Sequence, residues 1–164
     1  MASADRTQMP GAGDHAPGFR LRDLQGGWKA LDELVPAGPV LLAFFKVSCP
    51  VCQLTLPFLD RIHQDAQGAL RVYGISQDDA EWTRDFNRRF GIRFPVLLDS
   101  AREDYPASNA FRITTVPTLF VVERHGAISW FLEGFNKGEI QMLAGKFGVN
   151  PFRPDENVPE WKAG

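Results

Sequence analysis

The chain has 164 residues, 44% of them hydrophobic, with 18 Lys and Arg against 20 Asp and Glu. A formal net charge of -2 argues against a nucleic-acid partner or an anionic membrane surface, and no apolar run approaches the ~20 residues of a membrane span. The only two cysteines stand together, so no disulfide framework staples the fold, and one domain over 1–164 is long enough to build its own core.

Residues 1–14 are polar and rich in Gly and Pro, which reads as a flexible N-terminal arm. They hold no apolar run of signal-peptide length, so the expected location is cytoplasmic, or periplasmic for a chain trimmed of its leader. Phe19 and Leu21 then alternate with charged neighbours before Gly26-Gly27, and Trp28 begins the return of a short hairpin. Leu31 to Val35 makes one helical turn that Pro36-Ala37-Gly38-Pro39 breaks.

Val40 to Phe45 is an unbroken apolar run, the pattern of a strand covered on both faces. It ends at Ser48-Cys49-Pro50-Val51-Cys52. Pro50 suits the first turn of a helix, where its missing N–H leaves nothing unpaired. Cys49 then sits at the helix N-terminus, where free N–H groups and the positive end of the dipole favour a thiolate, and Cys52 follows one turn later. A strand, a corner, Cys-x-x-Cys and a helix form the grammar of a redox motif.

The following helix places Val51, Thr55, Phe58, Leu59, Ile62 and Ala66 on one face and is expected to kink at Pro57. Leu70 to Ser76 is the next strand, and Asp78-Asp79 opens a helix to about Phe90 with Trp82, Phe86 and Phe90 inward. Phe94 to Leu98 is a further strand closed by Asp99, then a short helix from Glu103 to Phe111 is interrupted by Pro106. Thr118 to Val122 pairs with Ile128 to Leu132 across a turn at Gly126, and Lys137 to Phe147 has Ile140, Leu143 and Ala144 at helical spacing. Residues 149–164 hold three prolines and few aliphatic side chains, so an extended, poorly ordered tail is expected. Helices between strands followed by a hairpin predict an α/β domain with a mixed sheet, mostly parallel near the motif.

Other signals carry less. His15, His63 and His125 are scattered without paired ligand spacing, so no metal is expected at the cysteines. Arg84, Arg88, Arg89 and Arg93 read as a solvated helix face, and Trp28, Trp82 and Trp130 as core.

Cys49-Pro50-Val51-Cys52 after a buried strand, Pro57 in the helix and Val116-Pro117-Thr118 before a late strand together resemble a thioredoxin fold. The lead-in Ala16-Pro17-Gly18-Phe19 and the inserted helix and strand from Asp78 to Asp99 narrow this further. They resemble the branch that holds the TlpA/ResA-type thiol–disulfide oxidoreductases and the AhpC/TSA family. The resemblance implies a three-layer fold, a central mixed sheet flanked by helices, with an N-terminal β-hairpin and an inserted helix and strand. It further implies that Cys49 attacks a substrate disulfide, that Cys52 resolves the mixed disulfide, and that Pro117 is a cis proline whose neighbour Val116 pairs with the bound substrate strand. No cofactor is implied; the expected partners are a protein disulfide and an electron donor.

Three positions depart from the pattern. Ser48 stands where a tryptophan is common, Ala43 where thioredoxins carry a buried acid, and Thr55 where some ResA-type proteins carry a glutamate. No proton acceptor for Cys52 is therefore visible at the usual places. Lys46, three residues before Cys49, either modulates the thiolate through its ammonium or snorkels to solvent. The alternatives to a disulfide oxidoreductase are a peroxiredoxin-like antioxidant peroxidase and a non-catalytic redox-sensing module. Against the peroxidase, Lys46 and Leu42 occupy the places of that family's threonine and proline, and its arginine near the late strand has no counterpart.

Overall fold

Six consecutive apolar side chains need cover on both faces, and β3 (Val40–Phe45) has it, all six being fully buried. In the computed structural model, which describes residues 8–164, β3 lies inside a seven-stranded sheet. Its side chains alternate: Leu41, Ala43 and Phe45 enter one core, and Val40, Leu42 and Phe44 enter the other. Each large side chain so buried contributes about 2 kcal/mol. The first core is closed by α2 (Pro50–Asp65), α3 (Ala80–Phe90) and α5 (Lys137–Gly145). The second is closed by α1 (Leu31–Leu34), α4 (Pro106–Ala110) and Phe111. The result is the expected three-layer α/β fold.

The sheet order is β2 (Trp28–Ala30), β1 (Arg20–Asp23), β5 (Val96–Leu98), β4 (Arg71–Ser76), β3, β6 (Thr118–Val122) and β7 (Ile128–Glu133). The three middle strands β5, β4 and β3 run parallel, and all other pairings are antiparallel. Parallel pairing puts the C-terminal ends of β3 and β4 side by side, with Phe45 opposite Ser76. Gln77 extends the ladder by donating to the Phe45 carbonyl at 3.0 Å. The loops after these two strands are thereby fixed next to each other.

Two buried carboxylates hold the inserted segment. Asp99 accepts from the Ala107 and Ser108 N–H groups at 2.8 and 2.7 Å, and from the Ser108 hydroxyl. Asp60, on α2, accepts from the Arg93 and Phe94 N–H groups at 2.7 and 3.1 Å. His63 accepts from the Val72 N–H at 2.9 Å, and burial holds its pKa below the ordinary value. A helix end usually favours a cationic imidazole, but this contact needs the neutral ring.

Several expectations change. Trp82 is 62% exposed, because Asp79 caps α3 and sets its phase so that Thr83 and Phe86 face inward. Trp28 is also exposed: β2 is the sheet edge, and the guanidinium groups of Arg20 and Arg22 lie 4.6 and 4.3 Å from its ring. Pro106 opens α4 at its first position and does not interrupt it. Residues 1–7 of the expected arm lie outside the described residues; beyond them, Gly13 donates to the Ile128 carbonyl and Ile128 to the Asp14 carbonyl, both at 2.8 Å. The tail is extended as expected but packed. Val149 and Phe152 are buried, with Phe152 4.8 Å from the Phe58 ring. Arg61 grips Glu156 through both guanidinium nitrogens at 2.7 and 2.8 Å, and β9 (Trp161–Lys162) pairs with β8 (Phe135–Asn136).

Candidate active site

The cysteine pair lies where β3 ends and α2 begins. Cys49 is the N-cap of α2, with extended backbone (φ -83°, ψ 117°), and its sulfur accepts the Cys52 N–H at 3.2 Å. A thiol thus fills the place that a serine or aspartate oxygen usually takes, so the first turn presents its donors to the sulfur. Pro50 at the first helical position removes one donor that would otherwise go unpaired. The corner is braced by Gln53, whose side chain donates to the Val47 carbonyl at 2.9 Å.

The two thiols differ in access. Cys49 is partly exposed, whereas Cys52 is fully buried in the first core. Burial pushes the Cys52 thiol far above its ordinary value, its hydrogen bond to Cys49 adds to this, and a hydrogen bond from the Lys46 backbone opposes it. The charges of Cys49 and Asp78 raise it further. Val116 and Pro117 stand beside the pair: the Val116–Pro117 peptide is cis, and the Cys49 thiol donates to the Val116 carbonyl at 3.5 Å. The Pro117 carbonyl in turn accepts from Gly134 N–H at 2.8 Å, tying this loop to the corner between β7 and β8.

Lys46 acts here through its backbone. Its side chain is exposed, its carbonyl accepts the Cys49 N–H at 3.3 Å, and its own amide faces Cys52. The next amide, Val47 N–H, donates to Asp78 Oδ2 at 2.8 Å. Consecutive peptide groups therefore hold the buried thiol and a half-buried carboxylate in one neighbourhood. Asp78 is the carboxylate in this neighbourhood, and the usual positions hold none: Ala43 is core, and the Thr55 hydroxyl is spent on the Val51 carbonyl at 2.6 Å. A signal for it existed in the Asp78-Asp79 doublet. Asp79 alone suffices to cap α3, which leaves Asp78 free for another partner.

A model of the AhpC/TSA family matches residues 12–131. The chain belongs to the AhpC/TSA family. The chain is 27% identical over 125 residues to the thiol-disulfide oxidoreductase ResA of Geobacillus kaustophilus, covering 74% of this chain and 69% of that one. It is 23% identical over 154 residues to the chloroplastic peroxiredoxin Q of Oryza sativa subsp. japonica, covering 90% of this chain and 63% of that one. The fold is similar to the thioredoxin domain of thiol-disulfide oxidoreductase BVU-2223 from Bacteroides vulgatus, with TM-score 0.74 and 19% identity over 84% of this chain and 98% of that one. This AhpC/TSA member thus has relatives named for either chemistry, and the surroundings of Cys49 distinguish them. The hydrogen-bond partners of its sulfur are a peptide carbonyl and a helix amide. Ala43 and Thr55 are filled by packing and by a local hydrogen bond, as their residue types require.

Proposed function

We propose that this AhpC/TSA protein is a thiol–disulfide oxidoreductase that reduces or exchanges disulfides of protein substrates through Cys49 and Cys52. The observation that carries this reading is the asymmetry of the pair: an accessible thiol capping α2, a buried thiol one turn behind it, and the Val116 carbonyl 3.5 Å from the first sulfur.

The reaction runs in two exchanges. Cys49, as thiolate, attacks one sulfur of the substrate disulfide; that S–S bond breaks, and the leaving sulfur takes a proton. Val116 offers backbone groups against which the substrate segment lies as a short strand. Cys52 then gives up its proton and attacks Cys49 Sγ. The mixed disulfide breaks, the second substrate thiol leaves, and a Cys49–Cys52 disulfide remains. A dithiol donor returns two electrons and two protons to close the cycle. The second step needs a base, since burial opposes ionisation of Cys52, and Asp78 takes that role directly or across one water.

Peroxide reduction needs donors that hold both peroxide oxygens and stabilise the leaving hydroxide. Lys46, whose side chain is exposed, stands where peroxiredoxins place a threonine, and Val116-Pro117-Thr118 occupies the stretch of their arginine. Trapping tests the assignment. Cys52→Ser should accumulate a mixed disulfide with a protein substrate, and Cys49→Ser should form none; a trapped adduct on Cys52 in place of Cys49 would reverse the roles.

A further inference from the structure

The tail reaches the site just described. Its base is held firmly: Phe152 packs against Phe58 and Phe135, Arg61 grips Glu156, and the Lys137 N–H donates to the Glu160 carbonyl at 3.0 Å. Its tip then crosses the loops that flank Cys49. A methyl added at Gly134 would stand 2.6 Å from the Lys162 carbonyl oxygen and 3.0 Å from the Gly164 nitrogen. A methyl added at Gly164 would stand 2.6 Å from the Val116 carbonyl oxygen and 2.7 Å from Thr115 Oγ1. Such approaches admit only glycine. The Val116 carbonyl is the same one that receives the Cys49 thiol.

We infer that Trp161–Gly164 is an internal occupant of the substrate-strand position beside Cys49, and that a protein disulfide must displace it. This rests on the oxidoreductase reading only for what the substrate is; that the tip lies over Val116 and Gly134 is geometry. A strand already pairs with β8 there, so the surface accepts an extended polypeptide, and main-chain pairing makes the position tolerant of sequence. The tip is also built to leave. All four residues from Trp161 to Gly164 are exposed, Trp161 at 62%, so little apolar surface holds them down. The buried base at Val149 and Phe152 keeps the strap attached when the tip lifts, and its return is intramolecular and concentration-independent. Small thiol reagents and small disulfides need only Cys49 Sγ, whereas a folded partner needs the Val116 edge as well.

Two variants test this without touching the cysteines: a chain lacking Trp161–Gly164, and Gly164→Val, whose side chain collides with the Val116 carbonyl. Labelling of reduced Cys49 by a maleimide carrying a long polyethylene glycol chain is compared with labelling by iodoacetamide. In both variants the bulky reagent should gain at least about fivefold relative to the small one, which corresponds to a tip in place in roughly four-fifths of molecules. With insulin as protein disulfide, kcat/KM should rise by a similar factor through KM, while turnover of a small aromatic disulfide changes by less than about twofold. The peptide Glu-Trp-Lys-Ala-Gly, added to the shortened chain, should restore protection. An unchanged labelling ratio in both variants would overturn the inference. So would increased labelling with a fall in insulin turnover, which would make the tip part of the binding surface and not its competitor. Failure of every form to turn over any disulfide would instead sink the oxidoreductase reading, with the labelling ratio still deciding the strap.

Discussion

At the scale of single residues, the division of labour between the two thiols follows from burial, and burial creates the need for a base. Cys52 is packed into the first core, where a thiolate is strongly disfavoured, so the resolving step depends on a nearby acceptor. Asp78→Asn keeps the hydrogen bond from Val47 while removing the acceptor. It should slow resolution of the mixed disulfide by at least about tenfold near neutral pH, with the rate climbing as pH rises, and Asp78→Glu should recover part of the loss. A mixed-disulfide lifetime equal to that of the parent would remove Asp78 from the mechanism. Cys49, Cys52 and Pro117 were legible in the sequence because each belongs to a local pattern. Asp78 was legible only as the spare half of the Asp78-Asp79 doublet and not as a neighbour of Cys52, because its partner Val47 is 31 residues away and the two meet only through the parallel register of β3 and β4. Lys46 was legible as a position but not as a role, since a backbone contribution leaves no trace in residue type.

At the scale of elements, buried carboxylates and the tail do what periodicity cannot reveal. Asp99 satisfies the first two donors of α4 together with the Ser108 hydroxyl, all inside the protein. Asp99→Ala would leave buried amides without partners and should cost about 3 kcal/mol, seen as a lowered midpoint in urea with unchanged slope. A loss below about 1 kcal/mol would mean that water replaces the carboxylate. Hydrogen bonds from Arg61 hold the Glu156 carboxyl from an ordinary 4.5 down to about 2. A carboxylate depressed in the folded state stabilises above its unfolded value and loses that contribution as pH falls through the folded one. The tail should therefore be fully anchored above about pH 4.5 and release as the pH drops toward about 2. The protection factor of the Lys137 amide, which donates to the Glu160 carbonyl, should fall over that window, and Glu156→Gln should show the lowered protection already at neutral pH. A protection factor that stays high across that window in both proteins would show that Phe152 alone holds the segment. The longer elements β3, β4, β6, α2, α3 and α5 were readable to within about two residues, whereas α4 begins at Pro106 rather than Glu103 and the β8–β9 pair was not foreseen. Trp82 was not, since one residue of phase in α3 turns a side chain by about 100°. The tail misled because two of its few apolar residues, Val149 and Phe152, found the core, while Trp161 stayed exposed.

At the scale of the molecule, the α/β sandwich brings three separate loops to one end of the sheet. They follow β3, precede β6 and link β7 to β8, and they carry Cys49, the Val116–Pro117 peptide and Gly134. That convergence was legible as a fold resemblance and not as geometry, because each loop is unremarkable by itself. It gives a thiol an edge for a peptide, and the chain is also similar to relatives named as peroxiredoxins. The measurement that separates these chemistries most directly is kcat/KM for a protein disulfide and for hydrogen peroxide, with the same chemical dithiol as reductant in both. The disulfide should be favoured by at least about a hundredfold, roughly 2.7 kcal/mol of transition-state stabilisation. Equal or faster turnover of peroxide would contradict the account and make Cys49 a peroxidatic thiol.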